Sequence, residues 1–169
     1  MNWPEYVAFT ATTALPAAQD PAYLRLGVME EAFECLAAYA NLQAAIHGRV
    51  KRTLRGDSEA VLQAKEDAAI KARAQLVEEL GDLAWYVARM SALSLTRHKL
   101  PYHHPLMGLG RVAYSIVAFE ESSECENAMR VLVEFLALTG LDLSTVLSAN
   151  VAKLTARKSA GTLKGEGTR

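Results

Sequence analysis

Leu76, Leu80, Leu83, Val87 and Met90 step along the chain by 4, 3, 4 and 3 residues; Leu26, Met29, Phe33, Leu36 and Ala40 do so by 3, 4, 3 and 4. This is the rhythm of an α-helix with one apolar face, whereas a half-buried strand alternates every second residue. Each stripe therefore predicts a long helix with that face on the core. Composition agrees: 51% of the residues are hydrophobic but only 7% aromatic, and five are proline. Such a chain favours helices over sheets. The expectation is an all-α helical bundle, with all 169 residues in one domain.

Breakers and caps divide the chain further. The pattern predicts a short helix over 3–14, with Asn2 as its cap and Pro4 in its first turn. Pro16, Asp20 and Pro21 then interrupt, and a second helix runs over about 23–46, ending near Gly48. Residues 47–58 read as a basic connector. A third helix covers about 59–97, with an interruption near 65–70. Pro101, His103, His104 and Pro105 mark a loop, followed by helices over about 106–121 and 124–139, with Gly140 as the C-terminal cap. A last helix over about 143–158 takes Asp142 or Ser144 as its cap, and residues 159–169 form a Gly-rich basic tail.

Two acidic pairs stand out on the long helices, Glu31-Ala-Phe-Glu34 and Glu79-Leu-Gly-Asp82. At i,i+3 spacing both acids of a pair lie on one side of a helix, about 60° apart around its axis. Around the first pair, Gly27, Ala38 and Asn41 share the face with Glu31 and Glu34, so its other members are small. Small neighbours let another helix or a ligand approach the carboxylates. One Glu-x-x-Glu is usually a solvated helix face; two pairs in nearly apolar helices are harder to explain that way. Four crowded carboxylates need a counter-charge, which points to Mg²⁺ or Mn²⁺ and, through it, to a phosphate substrate. Glu30 and Glu78 precede the pairs as supporting groups, water-orienting bases or plain surface charges.

Near the C-terminus, Asn150, Lys153 and Arg157 are spaced by 3 and 4 and project from one side of the last helix. Lys offers a point charge and Arg a planar fork for phosphate oxygens. A basic last turn that complements the helix dipole would look the same. In the tail, Lys164 and Arg169 could fold over a polyphosphate, although a frayed terminus is the simpler reading of those residues by themselves.

Several classes are disfavoured. A net charge of −1 lacks the basic excess of a general nucleic-acid binder. Two cysteines, Cys35 and Cys125, have neither disulfide-framework nor zinc spacing and suit a reducing compartment. No signal-peptide pattern or membrane-length apolar run is seen, so a soluble, cytoplasmic protein without a membrane partner is expected. None of the four histidines lies three residues after a glutamate, which removes the di-iron bundle signature. P-loop, Rossmann and nucleophile-elbow patterns are missing as well.

Taken together, these residues resemble the MazG-like family of all-α nucleoside triphosphate pyrophosphohydrolases. Val28-Met-Glu-Glu31-Ala-Phe-Glu34 is similar to its first metal motif, and Leu76-Val-Glu-Glu79-Leu-Gly-Asp82 to its second. Asn150-Val-Ala-Lys153 with Arg157, followed by Gly161-Thr-Leu-Lys164 and on to Arg169, is similar to its phosphate-binding signature. The opening residues around Glu5, Thr13 and Tyr23 also resemble small members. Two departures are the longer stretch at 57–74 and the extra helices at 98–140, which read as an insertion.

The resemblance implies a bundle of the all-α pyrophosphatase type, forming homodimers or homotetramers, that splits an NTP or dNTP between its α- and β-phosphates. Glu31, Glu34, Glu79 and Asp82 would hold Mg²⁺, with Mn²⁺ as substitute. Asn150, Lys153 and Arg157, with Lys164 and Arg169 from the tail, would meet the phosphates. The general base is left open between Glu34, the first choice, and Glu30. The alternative from another class is a helical protein of the same fold that binds a nucleotide or partner without turnover.

Overall fold

The computed structural model describes residues 1–93, 109–122 and 124–163. Its described part is 86% helical and contains no strands, as expected for an all-α bundle. The α-helices are α1 (Trp3–Thr10), α2 (Pro21–Leu54), α3 (Glu59–Leu93), α4 (Leu109–Ser122), α5 (Cys125–Thr139) and α6 (Leu143–Ser159), with a 3₁₀ turn at Pro16–Gln19. The loop expected around His103 and His104 and the tail cations Lys164 and Arg169 lie outside the described residues.

Helix α1 begins as expected: Asn2 Oδ1 accepts from Glu5 N and Glu5 Oε2 accepts from Asn2 N, both at 2.9 Å, a reciprocal capping box. It ends at Thr10 rather than at residue 14. The threonines there favour turns, because their hydroxyls compete for backbone carbonyls: Thr10 Oγ1 bonds Val7 O at 2.8 Å and Thr13 Oγ1 bonds Thr10 O at 3.2 Å. Asp20 caps α2 through Ala22 N at 2.9 Å, with Pro21 at its first position.

Helix α2 does not stop at Gly48. The expected connector is helical as far as Leu54, and the turn falls at Gly56, in the left-handed region at φ 70°. One mid-helix glycine costs only about 1 kcal/mol. Facing α3, Arg49 pairs with Glu66 at 2.5 Å and Arg52 with Asp57 at 3.0 Å. Helix α3 shows no interruption at 65–70. Together α2 and α3 form an antiparallel hairpin with arms of about 50 Å at 1.5 Å per residue.

The α3 stripe faces inward as predicted: Leu76, Leu80, Leu83 and Val87 are fully buried and Met90 partly. The α2 stripe does so only in part: Met29 and Leu36 are partly buried against the core. Leu26 is 67% and Phe33 58% exposed, while Leu24, Val28, Ala32 and Cys35 are buried beside Gly27, Glu31 and Ala38. The cause is the approach to α3. A Cβ on Gly27 would come within 2.1 Å of Tyr86 Cε1, so only the small-residue face of α2 can lie this close.

Helices α4 and α5 are part of the core. Val112, Phe119, Met129, Leu132 and Phe135 are all fully buried with the residues of α2 and α3. Gly140 ends α5 at φ 64°, the left-handed cap expected of it. Asp142, not Ser144, caps α6 through Thr145 N at 3.0 Å. The axes of α5 and α6 differ by 110°, which swings α6 back along α3. Among the described residues no single helix is long and apolar enough to cross a membrane.

The two glycines within α2 should respond oppositely to alanine. Gly27→Ala drives a Cβ into Tyr86 and should lower unfolding free energy by about 1–3 kcal/mol. Gly48→Ala meets nothing nearer than Lys65 Cδ at 3.9 Å and should raise it by about 0.5–1 kcal/mol. Urea denaturation of the two variants measures both.

Candidate metal centre

Because α2 and α3 lie antiparallel and close, the face carrying Glu31 and Glu34 meets the border of the α3 stripe, where Glu79 projects. One carboxylate oxygen from each of these three residues lies within 4.8 Å of the other two. Glu31 is deepest, at 2% exposure, while Glu34 and Glu79 are half-buried. At 4.8 Å and an effective dielectric near 20, each pair of full charges repels by roughly 3 kcal/mol. Burial, then the neighbouring charges of Glu34 and Asp82, raise the Glu79 carboxyl above its ordinary pKa, opposed by a hydrogen bond with Gln75 and by Lys153. Buried Cys35 behind them is likewise pushed well up, by desolvation first and then by Glu31, Glu79, Asp82 and Glu34.

The donor set is all carboxylate oxygen. That suits a hard cation such as Mg²⁺ or Mn²⁺ and not a thiolate- or imidazole-preferring metal. Repulsion among three acids is the electrostatic counterpart: a divalent ion would relieve it.

Asp82, the fourth expected ligand, stands apart from this trio. Its Oδ1 accepts from Asn150 Nδ2 at 2.9 Å, and its Oδ2 pairs with Lys153 Nζ. Lys153 also pairs with Glu78 at 3.3 Å. Helix α6 therefore delivers Asn150 and Lys153 to α3 itself, and this closeness again needs a glycine. A Cβ on Gly81 would lie 2.9 Å from Asn150 Cβ and Nδ2. Beneath them Tyr6 of α1, fully buried, donates from its hydroxyl to Asn150 Oδ1 at 2.8 Å, with Gly81 O at 3.3 Å. Burial, then the Asp82 charge, holds the Tyr6 phenol well above its ordinary pKa.

These groups edge an open cleft of about 430 Å³, lined by Glu34, Gln75, Glu78, Glu79, Asp82, Lys153 and Arg157 together with Ala37. Its lining combines four acids with the two cations Lys153 and Arg157. Of the expected site residues, Glu31, Glu34 and Glu79 converge; Asp82 and Lys153 share the cleft as an ion pair; Asn150 is buried beneath; Arg157 is exposed at the edge. Glu30 is exposed and does not line the cleft. Tyr6 was not expected here. An aromatic in an amphipathic N-terminal helix carries no sign of a partner 144 residues away.

Comparison with known protein families, with curated proteins and with solved structures finds no match to this chain.

A raised carboxyl pKa fixes a sign. The folded state holds the Glu79 proton more tightly than the unfolded chain, so the associated penalty is absent below the ordinary glutamate value, about 4.3, and grows as pH rises through the folded value. In chelator, Glu79→Gln should therefore melt above the parent protein at neutral pH, with the difference vanishing below about pH 4. Adding Mg²⁺ at 100 times its Kd should stabilise the parent by about 2.7 kcal/mol and the variant far less. Thermal melts across pH, with and without the ion, test both statements.

Proposed function

We propose that this chain is a Mg²⁺-dependent pyrophosphohydrolase that splits nucleoside or deoxynucleoside triphosphates between the α- and β-phosphates into the monophosphate and pyrophosphate. The observation that carries the reading is the convergence of Glu31, Glu34 and Glu79 within 4.8 Å beside a cleft that also holds Lys153 and Arg157. A polyphosphate is a substrate class that needs both halves of such a site, acids to hold its metal and cations to hold its oxygens. The likeness of the three motifs to the MazG-like family supports the same reading.

Glu31, Glu34 and Glu79 would hold the ion. When bound, it supplies charge neutralisation and a water of lowered pKa. Between the two candidate bases, Glu34 is favoured, because it lines the cleft and Glu30 does not. Lys153 stands between Asp82 and Glu78, and an entering phosphate would compete with both acids for its ammonium. Asp82, which pairs with Lys153 in this structure, would be the fourth carboxylate available to the ion. Arg157, exposed at the edge, meets the distal phosphates with its fork. The tail cations Lys164 and Arg169 belong to the same phosphate-binding role.

The test is pyrophosphate release from a panel of NTPs and dNTPs with Mg²⁺ or Mn²⁺, with the nucleotide product identified. Monophosphate plus pyrophosphate is the expected result. Glu34→Gln should reduce kcat by at least about 100-fold, and Arg157→Ala should act mainly on KM. Metal-dependent nucleotide binding without product would replace this reading by a binding module.

The assembly proposed with this function is a homodimer or homotetramer. Its support is the outward apolar face of α2, with Leu26 and Phe33, together with exposed Tyr114 and Val117 on α4. Phe33→Glu should shift sedimentation toward the monomer while leaving helix content unchanged. An unaltered sedimentation profile would remove this face from the interface.

A further inference from the structure

We propose that Tyr6 is a positioning residue for the acidic cleft, its hydroxyl setting the orientation of the Asn150 amide and, through it, of Asp82. As far as catalysis is concerned, this rests on the hydrolase reading above.

The chain of three groups has one self-consistent direction. A carboxylate accepts hydrogen bonds and donates none, so Asp82 Oδ1 at 2.9 Å requires the amino edge of the Asn150 amide. The carbonyl edge then faces Tyr6, and an amide carbonyl at 2.8 Å requires a donor. The phenol is that donor, with Gly81 O at 3.3 Å a longer, second acceptor for the same proton. Turned over, the amide would set its Oδ1 against the carboxylate. Tyr6 and Asp82 together therefore leave one orientation, and water cannot substitute easily because Asn150 is only 3% exposed.

The hydroxyl is itself held firmly. Tyr6 packs between Trp3 and Phe9, with ring centroids 5.9 and 6.3 Å away. The capping box fixes the start of α1, and beyond its end Trp85 Nε1 donates to Thr13 Oγ1 and Lys158 Nζ to Thr12 O, each at 3.0 Å. The short N-terminal helix is thus anchored to α3 and α6, the two helices whose side chains it aligns. Removing the hydroxyl alone should leave this packing intact and free the amide.

Tyr6→Phe tests the inference. The far-UV spectrum should stay as in the parent, while the Asn150 side-chain NH₂ resonances, assigned by their loss in Asn150→Ala, should shift and exchange faster with solvent. With the best nucleotide and Mg²⁺, kcat should fall roughly tenfold and KM by no more than about twofold either way. Because the hydroxyl acts through Asn150, Tyr6→Phe should cause no further loss of kcat in the Asn150→Ala background. A general packing role would instead lower kcat equally in both backgrounds and would overturn the proposal, as would unmoved Asn150 resonances in Tyr6→Phe. If the parent protein releases no pyrophosphate from any nucleotide, the hydrolase reading fails by itself. The Asn150 resonances then decide the Tyr6 link: moved, they support it; unmoved, they overturn it.

Discussion

The close contact between α2 and α3 at Gly27 and Tyr86 is the constraint on which the remainder depends. With no side chain on Gly27, the Tyr86 ring occupies the space where a Cβ would stand, and α2 must turn its small-residue face inward. That rotation carries Glu31 into the interior and brings Glu34 to the cleft opposite Glu79. It also turns Leu26 and Phe33 outward. One steric fact therefore accounts for both the acidic site and the apolar surface. Gly81 repeats the device on the other side of α3, where Asn150 lies against the backbone.

Charge is distributed unevenly across the site, and the unevenness is informative. Glu31, Glu34 and Glu79 converge within 4.8 Å, whereas Asp82 pairs with Lys153 and accepts a hydrogen bond from Asn150. The Asp82–Lys153 pair keeps both charges close to hand, and the Asp82 charge still acts on Glu79.

Much of the bundle was legible in the residues because its signals are local. The capping box at Asn2, the left-handed Gly140, the Asp142 cap and the inward stripe of α3 all depend on neighbours within one or two turns. Errors arose where local signals were outweighed. Gly48 looked like a stop, but pairing of Arg49 and Arg52 with acids beyond the turn accompanies a helix that runs through it. Leu26 and Phe33 of α2 looked like core but face outward, while Met29 and Leu36 of the same stripe are partly buried. Periodicity did not show that the described helices α4 and α5, within the stretch 98–140, supply much of the buried core.

Sequence by itself determined the helical class, most element boundaries and the identity of the acids, since periodicity, capping and residue chemistry are properties of short stretches of chain. It also marked Asn150, Lys153 and Arg157 as one face of α6, a consequence of helical spacing alone. Only the tertiary structure decided which three of the four acids converge, that Lys153 is engaged by Asp82, and that Tyr6 stands behind Asn150. Those outcomes depend on how far two helices can approach and how they rotate about their axes. Steric contact between residues distant in sequence sets both, and no local pattern encodes it.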